Sequence, residues 1–500
     1  MRIFLLFVLA GSALAQQERS LIDFEAVSAI AAERIQMERP EASAKLPQAL
    51  AELDYDDYRN IRFRPSEALW WNDPLPFRVE FFHLGHIYHD AIRIFETSDT
   101  HVQEIPFLET AFNYEKSAYK PGFLRNPQGY AGIRVKYPLN RKDVYDDLIV
   151  FLGASYFRAL GKGQAYGLSL RGLSMDTLGK KEEFPRFTEL WLKKPKPEEE
   201  SLTLFALLEG KRVTGAYQFT VHPNGSTRID VRARLFFRKG GADVVGIAPI
   251  TSMFVFGENT NHDYQDWRPE VHDSDGLLIH ADREWTWHTL ENLPGRYSRK
   301  FPAAKLRGFG LMQRDRQFRN YKDLEANYEH RPSAWITPNR QFPMGSVVLY
   351  TFGTATEATD NVTAFWMPDL AEDETGPIDL DYTISMLLKP PPSEMARVVE
   401  TRVGRRTLDP DATTVIIEFT RPESLLAEEI SRLSLGFDWG EAEVLENPVI
   451  QYNVSEDRIR VFAHFKTPAG LQRQKPYEMS AQLLREGHQV SERWSYSWLP

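Results

Sequence analysis

The spacing of apolar residues limits this chain more than any other feature. Ile229, Val231, Ala233 and Leu235 alternate with polar residues, the period of a strand with one buried face. Residues 346–352 and 398–402 suit strands as well. The 30 Gly and 31 Pro punctuate the 500 residues every few positions, as a sheet with many turns requires. Helical spacing is confined to the front. Leu21, Phe24, Val27, Ile30, Ala31 and Ile35 fit a helix within 20–37, with Ser20 or Asp23 as its cap, and 45–53 fits a second short helix. The chain is therefore expected to be mostly β.

The first fifteen residues stand apart. Arg2 is a positive lead-in, residues 3–10 are apolar, and Ala13-Leu14-Ala15 is a small-residue cleavage site. This pattern predicts a signal peptide over 1–15, a mature chain starting at Gln16, and export. The apolar stretch is too short to span a bilayer, and no other segment has 18 uninterrupted apolar residues, so the mature chain is not expected to span a membrane. There is no cysteine, so neither a disulfide nor a lipidated N-terminal Cys is available. Stability must come from the core, for which 42 % hydrophobic and 12 % aromatic residues are ample.

A boundary is predicted where Lys389-Pro390-Pro391-Pro392-Ser393 cannot hold ladder hydrogen bonds. Beyond it, short strands are expected at 415–419, 449–454, 458–465, 479–484 and Arg493–Trp498. Their number and spacing suit an immunoglobulin-like sandwich over 398–500, with 389–397 as linker. No repeat, heptad or low-complexity tract is present.

A net charge of −10 argues against a nucleic-acid partner, since such a chain repels phosphate backbones, and suits a neutral substrate. Polar residues are densest from Asn259 to Asp275, a segment that includes His262, Asp263, Asp266, Arg268, Glu270, His272 and Asp273. It reads as a loop, with 272–276 as a turn whose side chains bond nearby backbone. Two further polar knots are Gln313-Arg314-Asp315-Arg316 and Glu357-Ala358-Thr359-Asp360-Asn361. Cleaving a glycosidic bond takes one carboxyl to protonate the leaving oxygen and another to activate water or attack carbon. Composition alone selects no pair from 70 Asp and Glu, and loop Asp residues that cap turns and pair with Arg268, Arg314 or Arg316 are the competing reading. His262, Asp263, His272 and Asp273 could also ligate a metal, but no HExxH or EF-hand pattern occurs, so no metal and no organic cofactor are expected. Thiol chemistry, a G-x-S-x-G elbow and a Walker loop are excluded for want of their residues.

Several blocks resemble the periplasmic osmoregulated glucan biosynthesis proteins, types G and D. They are LDYDDYRNIRFRP at 53–65, Phe81-Phe82-His83, Tyr137-Pro138-Leu139-Asn140, FLGASYFRALGKGQAYGLSLRGL at 151–173, GIAPITSMF at 246–254, RPEVHDSDGL at 268–277, GFGLMQRDRQF at 308–318, Arg331-Pro332-Ser333 and DNVTAFW at 360–366. The resemblance implies a large β-sandwich over 16–388, similar to galactose-mutarotase-like sugar enzymes, followed by the immunoglobulin-like unit. It also implies action on β-1,2-glucan as an anomer-inverting endo-glucanase or a transglycosylase. Carried over by motif, Asp360 is the general acid and Asp273 the general base, acting through water and hydroxyl groups. The apolar residues 362–366 beside Asp360 would favour its neutral form, and the polar loop around Asp273 its ionised form. The sequence departs from the family pattern at 349–354, where relatives carry E-I-P-T, and at 341–345, where they carry W-G-x-G.

Trp70, Tyr166, Trp285, Trp287 and Tyr328 are candidate platforms for the apolar faces of sugar rings. Arg268, Glu270, His272, Arg314 and Arg316 are candidates for holding hydroxyls. Two readings compete with the enzyme. A non-catalytic glucan binder assisting export, branching or release would need the aromatic cleft but neither Asp, and its second unit could dock on an inner-membrane glucan synthase. A mutarotase-like epimerase would need His272 on a small sugar in an open site.

Overall fold

The computed structural model describes residues 22–37, 46–119, 122, 129–179, 181–260, 266–371, 374–406, 409–472 and 475–500. The expected leader at 1–15, Gln16, Ser20, Leu21, His262 and Asp263 lie outside them. Asp23 caps the helix Phe24–Arg34, its carboxylate accepting from the Ala26 N–H at 2.8 Å. The second short helix is Gln48–Ala51.

The rest is mostly β, in several sheets. A ten-stranded sheet runs in the order Arg78–His83, Tyr130–Arg141, Val144–Leu152, Tyr156–Ala159, Ser169–Arg171, Val245–Ser252, Val362–Pro368, Gly345–Phe352, Arg296–Pro302, with Leu173–Met175 also pairing on Val245–Ser252. A fifteen-stranded sheet faces it. Between them lies the main core, to which alternation along each strand contributes one face. The first sheet supplies Ile133, Val135, Phe157, Leu170, Ile250, Val362, Ala364 and Trp366, and the second supplies Tyr217, Phe219, Ile229, Val231 and Ile336. Phe151, Phe157 and Phe219 meet with ring centroids 5.3–5.4 Å apart. Each such ring contributes roughly 1.5–3 kcal/mol by burial alone. The helix Phe24–Arg34 covers the other face of the larger sheet, packing Phe24, Val27 and Ala31 on Phe95, Trp191 and Phe205.

Because the side-chain period is two, residues between the core positions of the first sheet point the other way. The register aligns them in a transverse row. Glu80 is opposite Arg134, Arg134 opposite Val150, and Val150 opposite Arg158. Farther along, Ser169 is opposite Thr251, Thr251 opposite Thr363, Thr363 opposite Tyr350, and Tyr350 opposite Ser298. Apart from Val150 the row is polar.

Residues beyond the proline run supply two layers. Val398–Arg406, Asp409–Thr420, Arg458–Lys466, Glu443–Val444 and Val449–Asn453 form a five-stranded sheet. Ser434–Asp438, Tyr477–Arg485 and Arg493–Trp498 extend the fifteen-stranded sheet, the last running parallel to Glu284–Thr289. A second core lies between these layers. In it Trp285, Trp287, Met312 and Trp335 pack with Ile417, Phe419, Val461 and Trp494. Arg314 crosses this boundary, pairing with both oxygens of Glu492 at 2.7 and 2.8 Å and lying 3.7 Å over the Trp287 ring.

Candidate functional site

The two carboxyl groups singled out by the sequence hang from one stretch of backbone. The Asp273 N–H donates to the Met253 carbonyl at 2.8 Å, where Val271–His272 pairs with Phe254–Phe256. Asn361, beside Asp360 and fully buried, accepts from the Phe254 N–H and donates to the Phe254 and Phe352 carbonyls, at 2.9, 2.9 and 3.0 Å. Met253 and Phe254 close the 246–254 block, so that block positions both acids. Ser252 Oγ and Ser274 Oγ, 2.8 Å apart, add a further tie.

Their surroundings differ. Asp360 is half-buried just ahead of the strand Val362–Pro368. Asp273 is 4 % exposed and pairs with the Arg331 guanidinium. Burial pushes its carboxyl above the usual range, the Arg331 charge opposes this, the nearby Asp360 adds to the rise, and Arg158 works against it. The expectation of a polar 272–276 turn bonded to nearby backbone, favouring the ionised form of Asp273, is corrected here. His272, Asp273, Ser274 and Asp275 are all buried, and each finds a partner inside the fold. The Asp275 carboxylate, for example, accepts the backbone N–H groups of Arg314 and Asp315 at 2.7 and 3.0 Å.

His272 is sealed. Gln313 Nε2 donates to the His272 and Tyr328 carbonyls, so Gln313 Oε1 faces His272 Nδ1 and that nitrogen must donate. Nε2 lies 2.9 Å from the Glu270 carboxylate. Burial lowers the imidazole pKa, but Glu270, Asp275 and Glu258 together outweigh it and the net shift is upward. The buried Asp275 and the half-buried Glu258 and Asp315 complete an acidic group. Desolvation is the leading cause of the upward shift in each, to about 8 for Glu258. Glu270, His272 and Asp315 each offer a ligand atom within 4.8 Å of the others, a mixed nitrogen and oxygen set that could hold a divalent cation.

A polar clasp holds the loop carrying Asp360. Arg268 pairs with Asp266, Asp323 and Glu357, and the Tyr328 hydroxyl also donates to Glu357. Arg268 thus lies beside the acids, bound to carboxylates. Arg316 donates to the carbonyls of Glu329, Arg331 and Leu387, and Arg314 is committed to Glu492. Among the aromatic candidates, Trp70 is buried with its indole N–H on Glu96, Trp285 stacks on His280, Trp287 lies under Arg314, and Tyr328 is buried beneath the Arg331 guanidinium. Tyr166 alone of the five has an exposed ring, its hydroxyl donating to Asp147 at 2.7 Å.

Sequence reasoning gave no role of their own to Arg331, Asn361, Tyr156, Arg158 and Trp267. Tyr156 and Arg158 lie on the outward face of their strand, where Asp360 acts on the Tyr156 hydroxyl and Arg158 on Asp273. Trp267 is 69 % exposed beside Arg268. The signal available was polar residues at every second position of an otherwise apolar strand.

Residues 22–498 match the family model described as periplasmic glucan biosynthesis protein, MdoG. The chain belongs to this family of periplasmic glucan biosynthesis proteins. It is 40 % identical over 462 residues to glucans biosynthesis protein G of Ralstonia nicotianae, covering 90 % of this chain and 91 % of that one. It is 38 % identical to the protein of that name from Pseudomonas putida (strain W619), covering 89 % and 78 %, and 37 % identical to that of Sodalis glossinidius, covering 91 % and 88 %. Among the described residues of this family member, no helix is long and apolar enough to cross a membrane.

Proposed function

We propose that this glucan biosynthesis protein acts in the periplasm on β-1,2-glucan, as an anomer-inverting endo-glucanase or a transglycosylase built on a galactose-mutarotase-like sandwich. Asp360 is the general acid and Asp273 the general base. The observation that carries this reading is the shared anchoring of the two acids on Met253–Phe254 with opposite access to solvent. A half-buried Asp360 can meet a glycosidic oxygen and exchange its proton. A buried Asp273 cannot touch the attacking water directly, which suits a base that works through a relay of water and sugar hydroxyls. Burial raises the Asp273 carboxyl, and the Arg331 charge opposes that rise. The polar row crossing the sheet supplies partners for successive sugar hydroxyls, and Tyr166 and Trp267 supply exposed rings.

The epimerase reading requires His272 in an open site, whereas its ring is fully buried with both nitrogens engaged. The binder reading is separated by experiment. Mature protein is incubated with linear β-1,2-glucan and chain length is followed by mass spectrometry, beside Asp360→Asn and Asp273→Asn. Shortened or rejoined chains from the unmodified protein, slowed at least about a hundredfold in each variant, are expected. Unchanged glucan that binds equally well to all three proteins would refute the enzyme.

A further inference from the structure

A cleft of about 820 Å³ opens at the outer strand of the ten-stranded sheet, Arg296–Pro302. Its other walls are the hairpin Gly276–Ala281 and Glu284–Thr289, and the strand Arg493–Trp498. Neither Asp273, Asp360, Arg331 nor any member of the polar row lines it. In a chain of net charge −10, this cleft carries six basic side chains, Arg283, Arg299, Lys300, Lys305, Arg307 and Arg493, against the acids Asp282 and Glu284. Arg299 is engaged by Glu478 and His288, and Arg493 by Glu284 at 3.3 Å. Among the described residues the other four have no ion pair or side-chain hydrogen bond, and all four are exposed.

Charges on the outer strand itself would serve to keep it from pairing with another chain. That role accounts for Lys300. It does not account for Arg283 in the hairpin turn, nor for Lys305 and Arg307, which follow the strand and converge on the same space. Unpaired like charges held together raise the local potential and favour a multivalent anion. Guanidinium groups suit phosphate oxygens in particular, because their donors form a fork. Thr286 and Ser480 add hydroxyls, and Ile279 and Phe301 give the cleft an apolar patch.

We propose that this cleft binds a phosphate ester, with the phosphate on Arg283, Lys305 and Arg307 and the organic body toward Ile279 and Phe301. The site is independent of the reaction assigned to Asp273 and Asp360. Its ligand is either a soluble organophosphate or the headgroup of an anionic phospholipid.

The mature protein is titrated calorimetrically with inorganic phosphate and glucose 6-phosphate, with glucose as the neutral control. Cosedimentation is measured with phosphatidylglycerol vesicles and with pure phosphatidylcholine vesicles. The variant is Lys305→Glu with Arg307→Glu, two exposed residues with no partner to lose. Binding of a soluble phosphate, at least about tenfold weaker in the variant and weakened by salt, supports the site and a soluble ligand. Cosedimentation with the anionic vesicles alone, lost in the variant, supports it and identifies a headgroup. Failure of every phosphate-bearing probe to bind, or equal binding by the variant, overturns it. A single unchanged unfolding transition confirms that the variant is folded.

Discussion

Burial and Arg331 pull the Asp273 carboxyl in opposite directions, so the guanidinium sets how far down the pH scale this group can fill the role of base proposed for it. Arg331→Gln should raise its pKa further and move the acid limb of kcat/KM to higher pH. A purely structural role would lower activity equally at every pH. The acidic group behind His272 makes a second prediction. The folded pKa of Glu258, about 8, lies above its unfolded value. Between pH 6.5 and 8 the folded state therefore keeps a proton that the unfolded state has released, and stability falls as pH rises, by about 1.4 kcal/mol per pH unit for one such proton. The raised His272, Asp275 and Asp315 act in the same direction. The depressed His83 and His288 oppose it only at lower pH, where the unfolded imidazoles are charged. Melting temperature should drop from pH 6.5 to 8, and Glu258→Gln should flatten the drop.

Elements are tied together at few points, and Asn361 is one of them. Asn361→Ala removes three buried hydrogen bonds to Phe254 and Phe352, at a cost of about 2–4 kcal/mol on denaturant unfolding. It should also lower the proposed activity on β-1,2-glucan, because Asp360 loses its fixed relation to Asp273. The strands were legible in sequence because their signal is local. Alternation at Ile229–Leu235 is a burial pattern, Asp23 is a cap wherever a helix starts after it, and Arg493–Trp498 has the bounds expected. The segment around His272 reads in sequence as a turn bonded to its own nearby backbone, because polarity does not say who the partner is. Gln313 and the Arg314 N–H, some forty residues away, take the place expected of nearby backbone. For the same reason Arg314 and Arg316, read as hydroxyl holders, meet Glu492 and backbone carbonyls. Aromatic content likewise does not tell which rings face out. Trp267 and the buried Trp285 look alike in one dimension.

At the scale of the whole molecule, Arg314 and Glu492 hold residues 398–500 to the large sheet. Glu492→Ala would leave a buried guanidinium unpaired and deprive the Val398 N–H of its acceptor, a loss of about 3–5 kcal/mol in denaturant unfolding. A chain stopped at residue 388 should be insoluble even with its main core intact, because it exposes Trp285, Trp287 and Trp335 together with the open side of Glu284–Thr289. The parallel seam that covers that side also governs the order of events during synthesis. His288 and Ser495, which meet across it, are 207 residues apart. A chain that emerges amino end first must therefore carry a bare, tryptophan-rich strand edge until the last of those 207 residues has been delivered. Its yield in the cell should depend on a holding chaperone more than its final stability would suggest.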